Sequence, residues 1–435
     1  MGRCSFRRDQ DENGGAVAWS SAACLFCLIC GYTLLRPVRD AFGVAWGPDR
    51  VPVLFTVTCI GSLLLVPLYG ALVSWMAPTR VVPLSYAGLF VQLLLFPPLL
   101  RTFPWAPPVF FAWVSVFNLF GTALFWGLMA DVFPEGAARR SFSRIAGAGS
   151  LGGLFGSALC ARLAPVRGPI GMIPIAAFFL LGASACSAGV VRVHGAGPGG
   201  LGGRAFDGIL SAARSPRLLG LGALLSMQTL LSTFLYLEGA RIASLRGVGV
   251  GRVTAIFASV DVAAGLLALP LQLLASGPLM EEAGLGVTLA ALPASAFLGF
   301  VAIALFPVPS VVIGMTVLTR ALNLALLRPA REVLFTTFGR QARYKAKSFV
   351  DTAVQRLGDA SSSWLLVVLA SRGLGLPSLA LIGASVALGA TWVAYRLGGG
   401  LETRVGARHD VEADGPEAPL RVRPRELRAA EERQF

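Results

Sequence analysis

The sequence predicts an all-α polytopic membrane protein of twelve transmembrane helices in two six-helix halves, and three observations carry that prediction. First, 55% of the 435 residues are hydrophobic, only 14% are charged and the mean hydropathy is +0.70, a balance that fits no ordinary globular domain. Second, apolar stretches of the length of one bilayer crossing recur along the chain, near 16–36, 51–76, 81–100, 107–130, 142–164, 168–191, 217–240, 252–276, 285–306, 308–335, 347–371 and 375–397. They are continuous and lack the period-two alternation of barrel strands. Third, a shift of 205 residues lays Phe117–Arg140 over Leu322–Lys345, with Asn118 on Asn323 and Phe133 on Phe338, and it puts Arg36 on Arg241. Pairing the first span with the seventh and the fourth with the tenth is the pattern of two parallel halves with a path between them.

In chain order, the first span follows a polar start in which Arg3, Arg7 and Arg8 mix with Asp9, Asp11 and Glu12. It has no small-residue cleavage site, so it reads as a retained helix rather than a removed signal. Its Cys24, Cys27 and Cys30 have helical spacing and no further Cys or His group to complete a metal site, and they read as small packing residues. The fourth span holds no acid between Phe110 and Ala130 and ends in Asp131, Arg139, Arg140 and Arg144, which read as a gate or a headgroup anchor. In the fifth, Gly149 and Gly153, and Gly152 and Gly156, are small residues four apart, a signature of close helix packing. The seventh carries Glu238 with Arg241 just beyond it, and the eighth carries Asp261. The tenth is long enough for its last turns to leave the bilayer. The domains expected are a half over 1–191, a cytoplasmic linker over 192–216, a second half over 217–397 and a disordered cytoplasmic tail over 398–435 that could also lie on anionic lipid.

A net charge of +14 suggests nucleic acid in a soluble protein, but its placement here argues for topology. With the N-terminus inside, 23 of the 37 Lys and Arg fall in the termini and even-numbered loops and 7 in the odd loops. Both termini are therefore expected in the cytoplasm. Arginine outnumbers lysine 35 to 2, which with abundant Ala and Gly suggests a GC-rich bacterial genome and hence a multi-pass protein of a bacterial inner membrane. No partner but the lipid bilayer and a solute is implied, and a monomer is expected. No GxxxxGK[ST] run occurs, and His194 and His409 are isolated, so the sequence offers no catalytic group, metal site or cofactor and does not read as an enzyme or ATP-driven pump.

Charge inside the spans is where function is expected. Two runs, Leu34–Asp40 (LLRPVRD) and Leu326–Glu332 (LLRPARE), repeat Arg-Pro-x-Arg-acid in apolar surroundings. An arginine at a membrane helix centre costs about 2.5–3.5 kcal/mol on insertion scales, so two such runs suggest an anion-handling cavity. The planar guanidinium fork makes paired bonds to oxyanions. A proline in each run frees backbone groups one turn earlier, which is tolerated where a helix lines a cavity. The stretch Arg320–Asp359 adds Arg320, Asn323, Asp351, Arg356 and Asp359. The competing reading is internal ion pairs that hold helices in register.

These residues resemble the ATP/ADP translocase family of plastids and intracellular bacteria. Its first-helix pattern Tyr-x-x-Leu-Arg-x-x-Lys-Asp is met by Tyr32, Leu35, Arg36, Arg39 and Asp40, with Arg39 in the lysine's place. Its tenth-helix pattern is matched at Pro329, Arg331 and Glu332, and the following Lys-x-Lys-x-x-x-Asp and Leu-Gly fall on Lys345, Lys347, Asp351, Leu357 and Gly358. The FWG run at Phe125–Gly127 and Ser215-Pro216 are similar too. Two departures count: the fourth-helix glutamate is missing, and Asn323 stands at the tenth-helix lysine. Gly70, Leu72 and Arg80 also resemble a loop motif of major facilitator transporters, with Ser74 where that motif has Asp.

The resemblance implies a major-facilitator-type secondary transporter working by alternating access, and exchange or uptake of a nucleotide-like anion such as ATP or ADP. The solute-binding set is Tyr32, Arg36, Arg39, Glu238, Arg241, Asn323, Arg328 and Arg331, with Arg39 and Arg331 as oxyanion clamps. Asp40, Asp131, Glu332, Lys347 and Asp351 would gate or balance charge. One alternative is proton-coupled movement of another small solute with Glu238 or Asp261 carrying the proton. The other is a non-transporting membrane receptor or assembly factor, which the lack of a sizeable soluble domain disfavours.

Overall fold

The computed structural model describes residues 2–75, 78–133, 135–194, 216–245, 249–336 and 353–413. No strand occurs among them. In lipid each backbone N–H and C=O must find its partner inside its own segment, and long helices are the outcome. They are α1 (Gly2–Trp46), α2 (Val51–Trp75), α3 (Pro78–Thr102), α4 (Ala106–Val132), α5 (Glu135–His194), α6 (Pro216–Leu245), α7 (Val250–Leu274), the short α8 (Ser276–Glu282), α9 (Gly284–Leu305), α10 (Pro309–Leu322), α11 (Arg328–Thr336), α12 (Gln355–Ser371) and α13 (Leu376–Ala413).

Among the described residues nine segments are long and apolar enough to cross a membrane. One of these, Arg144–Val193, has 50 residues, about 75 Å of helix, more than twice the hydrocarbon thickness. Its two arms meet at Gly168, whose φ of 71° lies in the left-handed region that only glycine enters easily. The predicted fifth and sixth spans are thus the arms of one bent element. The fold is all-helical and polytopic as expected; the expected number of twelve crossings is not fixed by these nine segments.

The tenth span is also interrupted, by a π turn at Asn323–Leu327 between α10 and α11. Pro329 has no N–H, so the carbonyl of Ala325 loses its i+4 partner inside that wide turn. α13 runs to Ala413, past the expected start of the tail at 398. Most of the expected linker, 195–215, and the last residues of the tail, 414–435, lie outside the described residues.

Apolar packing sorts into two bodies. A large core joins α1, α3, α4 and both arms of α5, from Val17 to Val190, with Ala258 of α7 added. Two further cores join α6, α9, α10, α12 and α13, with Val51 of α2 added. The glycine pairs of α5 do what their spacing suggests. A Cβ at Gly152 would strike the Phe26 carbonyl oxygen, and one at Gly156 would sit 2.5 Å from that of Cys30, so α1 and α5 touch backbone to backbone. Gly153 lies on the same face, and the 205-residue shift carries it onto Gly358, which packs against Thr229 of α6. Large apolar side chains such as Trp19, Phe178 and Leu273 point outward, as a lipid-facing surface requires.

The two bodies meet tightly at the end of the bundle that carries Trp46, Val51, Leu245 and Val250. Ala41 and Val44 of α1 pack with Ala240, Ala243, Val253 and Phe257. Phe55 of α2 lies 5.4 Å from Tyr236 of α6, ring to ring, and Trp364 Nε1 of α12 donates to Thr56 Oγ1 at 3.0 Å. A Cβ on Gly251 would come within 2.7 Å of the Ala164 carbonyl oxygen. This end is sealed by apolar contacts.

Candidate functional site

Counting down from the sealed end places the charged residues by depth. Arg36 stands ten residues from Trp46, Asp261 eleven from Val250 and Arg320 eleven from Pro309. At 1.5 Å per residue all three lie about 15–17 Å down, half the thickness of a roughly 30 Å hydrocarbon core. Three helices deliver three charges to one level.

There they meet across the two bodies. The Asp261 carboxylate of α7 accepts a hydrogen bond from the Arg320 guanidinium of α10, and Arg36 of α1 pairs with the same oxygen at 3.6 Å. Asp261 is nearly buried, with 8% of its side chain exposed, whereas Arg36 keeps 30%. Arg36 and Arg320 thus come from opposite bodies and share one acid carried by α7, and Arg36 remains partly exposed. Arg320 also lines a cavity of about 40 Å³ among α6, α7 and α10, together with Tyr236 and Thr316. That is room for a few waters and not for a solute of nucleotide size.

A second pair lies one turn nearer the sealed end. Arg39 donates from Nε and one terminal nitrogen to Asp40 Oδ1 at 2.9 and 2.6 Å, and from the other terminal nitrogen to Ser115 Oγ of α4 at 2.9 Å. Its carbon centre sits 4.8 Å from the centroid of the Phe111 ring. Tyr236 of α6 donates its hydroxyl to Asp40 at 3.4 Å, so this pair also touches the opposite body. Arg39 was expected as an oxyanion clamp; here its fork is spent on Asp40 and Ser115.

The other expected residues fall in three places. Tyr32, one turn before Arg36 on α1, is half-buried with its ring 6.4 Å from Phe117. Glu238 is buried and accepts from Arg241 at 2.8 Å along its own helix, so this pair is satisfied within α6. Asn323 is half-buried in the π turn. Arg328, Arg331 and Glu332 lie about 28–35 Å from Pro309 along α10 and α11, at the opposite end of the bundle. Arg331 therefore does not share the level of Arg36 and Arg39. Asp131 is exposed at the end of α4. Lys347 and Asp351 lie outside the described residues.

Arg320, Asp261, Ser115 and Tyr236 are members of this layer that the expected set left out, although Arg320 and Asp261 stood out as charges in apolar spans. A usable signal was present. The 205-residue shift pairs Ser115 with Arg320 and Thr56 with Asp261, and each of these four contacts a neighbouring helix or the opposite body.

No protein-family model and no curated protein matches the chain in sequence. Solved structures do match in shape. The nucleoside transporter NupG, in a mutant form, superposes with a TM-score of 0.60 at 13% identity, covering 88% of this chain and 99% of its own. The POT family transporter PepTSo gives 0.63 at 12%, covering 89% and 97%. The human organic anion transporter MFSD10 gives 0.59 at 16%, covering 88% and 99%. At these identities the likeness establishes the fold, which is that of major facilitator proteins, in a multi-pass membrane protein.

Proposed function

We propose that the chain is a secondary transporter that moves a small anionic solute, a nucleotide in the first instance, by alternating access between residues 1–191 and 217–397. The observation that carries this reading is the Arg36–Asp261–Arg320 cluster, which joins the two bodies at half depth beneath a sealed end. Buried charge at that level is costly and is placed where a solute path crosses the bilayer. The first-helix motif, similar to that of ATP/ADP translocases, supports a nucleotide; the organic anion and nucleoside transporters among the structural neighbours are compatible with one. The apolar contact of Ala41 and Val44 with Ala240, Ala243, Val253 and Phe257 closes one end of the bundle, so in this reading solute enters from the side opposite that contact. Thermal stability of the detergent-purified protein against nucleotides, nucleosides, sugar phosphates and carboxylates tests the reading, since a ligand of the folded state raises apparent stability. A rise with ADP or ATP supports it, a rise with an unrelated solute alone removes the nucleotide, and no rise with any anion rejects the anionic class.

A second reading is favoured by the position of Asp261, a carboxylate held between two guanidinium groups at the contact of the bodies. It could carry a proton coupled to another solute. Uptake driven by a pH gradient and lost in Asp261→Asn would favour it.

A further inference from the structure

The central layer holds three guanidinium groups, of Arg36, Arg39 and Arg320, and two carboxylates, of Asp40 and Asp261. Arg356 and Asp359 of α12 pair with each other at 3.4 Å and add no net charge. One positive charge is left over, and the geometry shows which residue carries it. Arg39 is matched to Asp40 through two of its nitrogens. Arg320 is matched to Asp261 by a direct hydrogen bond, while Arg36 reaches the same oxygen only at 3.6 Å and is the most exposed of the three at 30%. Asp261 thus serves two cations and satisfies one.

We propose that Asp261 is a resident counter-anion for Arg36, and that the carboxylate or phosphate group of the transported solute takes its place there. When one negative charge of that group pairs with Arg36, Asp261 stays with Arg320 and each guanidinium of the layer has its own anion. The exchange also removes the ion pair that ties α1 to α7, so solute binding loosens the contact between the bodies. A solute without an anionic group leaves the bridge closed. This inference rests on the transport reading above and names the residue that competes with the solute.

The test titrates ADP, inorganic phosphate and citrate into purified full-length protein, wild type against Asp261→Asn and Asp261→Glu. Removing the competing charge in Asp261→Asn is expected to tighten binding of whichever probe binds wild type by about tenfold, within the usual range of coupling between two sites. Transport slows in the same variant because the bridge no longer re-forms. The longer acid in Asp261→Glu closes the gap to Arg36, competes better and weakens binding. If the Asn variant is not monodisperse, the Glu variant decides alone. Unchanged or weaker binding in Asp261→Asn, or unchanged or tighter binding in Asp261→Glu, overturns the inference while leaving transport standing. Failure of all three probes to bind wild type overturns the anion-transport reading itself.

Discussion

Arg36 of the first helix and Arg320 of the tenth predicted span converge on one oxygen of Asp261 although they belong to opposite bodies of the protein. Depth makes the convergence consequential. At the middle of a bilayer an acid without partners is among the most expensive groups a helix can carry, so two arginines on one carboxylate oxygen hold helices as well as charge.

Removing Arg320 leaves Asp261 with its distant partner alone. Arg320→Ala is therefore expected to lose about 3 kcal/mol, the cost of breaking a buried pair from one side. Arg320→Ala with Asp261→Ala should recover part of that loss, because no unpaired charge remains. Thermal unfolding in detergent checks it; a double variant less stable than the single one would contradict the pairing.

Arg39 depends on shape as well as charge. Its fork engages Asp40 and Ser115 together over the face of Phe111, and a lysine cannot reproduce that geometry. Arg39→Lys is expected to reduce transport at least tenfold, whereas Ser115→Ala, which removes one hydrogen bond, should cost only about 1 kcal/mol of stability. Equal activity of Arg39→Lys and wild type would show that the residue acts as a point charge.

The glycines of α5 offer a control within one helix. A Cβ at Gly156 meets Thr33 and the Cys30 carbonyl, while one at Gly147 meets nothing within 4 Å. Gly156→Ala should lower expression and melting temperature, and Gly147→Ala should be neutral or stabilise by up to about 1 kcal/mol. Two variants of equal stability would mean that α1 and α5 do not approach as closely as described.

The seal can be locked. Thr56→Cys with Trp364→Cys replaces the hydrogen bond between α2 and α12 with two thiols, and a short bifunctional thiol reagent is expected to join them and stop transport, with reduction or reagent-free protein as the reference. Full transport after complete cross-linking would show that this end does not open. In intact cells a single Arg372→Cys on the turn after α12 should react with an impermeant reagent from outside, as the positive-inside rule implies.

Much of the scaffold was legible because lipid leaves few choices. Continuous apolar runs gave the helices, and small residues four apart marked the face of α5 that packs closely, though not its partner α1. The spans 142–164 and 168–191 placed a break between them as a loop, whereas the chain turns there at the single left-handed Gly168. Within the site, Arg36, Arg39 and Asp40 stood out because charge in an apolar span is conspicuous. Their partners were harder to read. The bond of Arg320 to Asp261 joins residues 59 apart on two helices, and helical spacing carries no information about contacts between helices. Arg331 looked equivalent to Arg39 by motif, yet it lies near the opposite face, because the two runs occupy different depths of their spans.

The most direct measurement is uptake of labelled ADP into proteoliposomes loaded with ATP, comparing wild type, Arg36→Ala and an inserted, monodisperse Gly147→Ala control. Saturable uptake is expected for wild type and control, with loss of it in Arg36→Ala. Uptake by Arg36→Ala at the wild-type rate would contradict the claim that the central arginine cluster binds the solute.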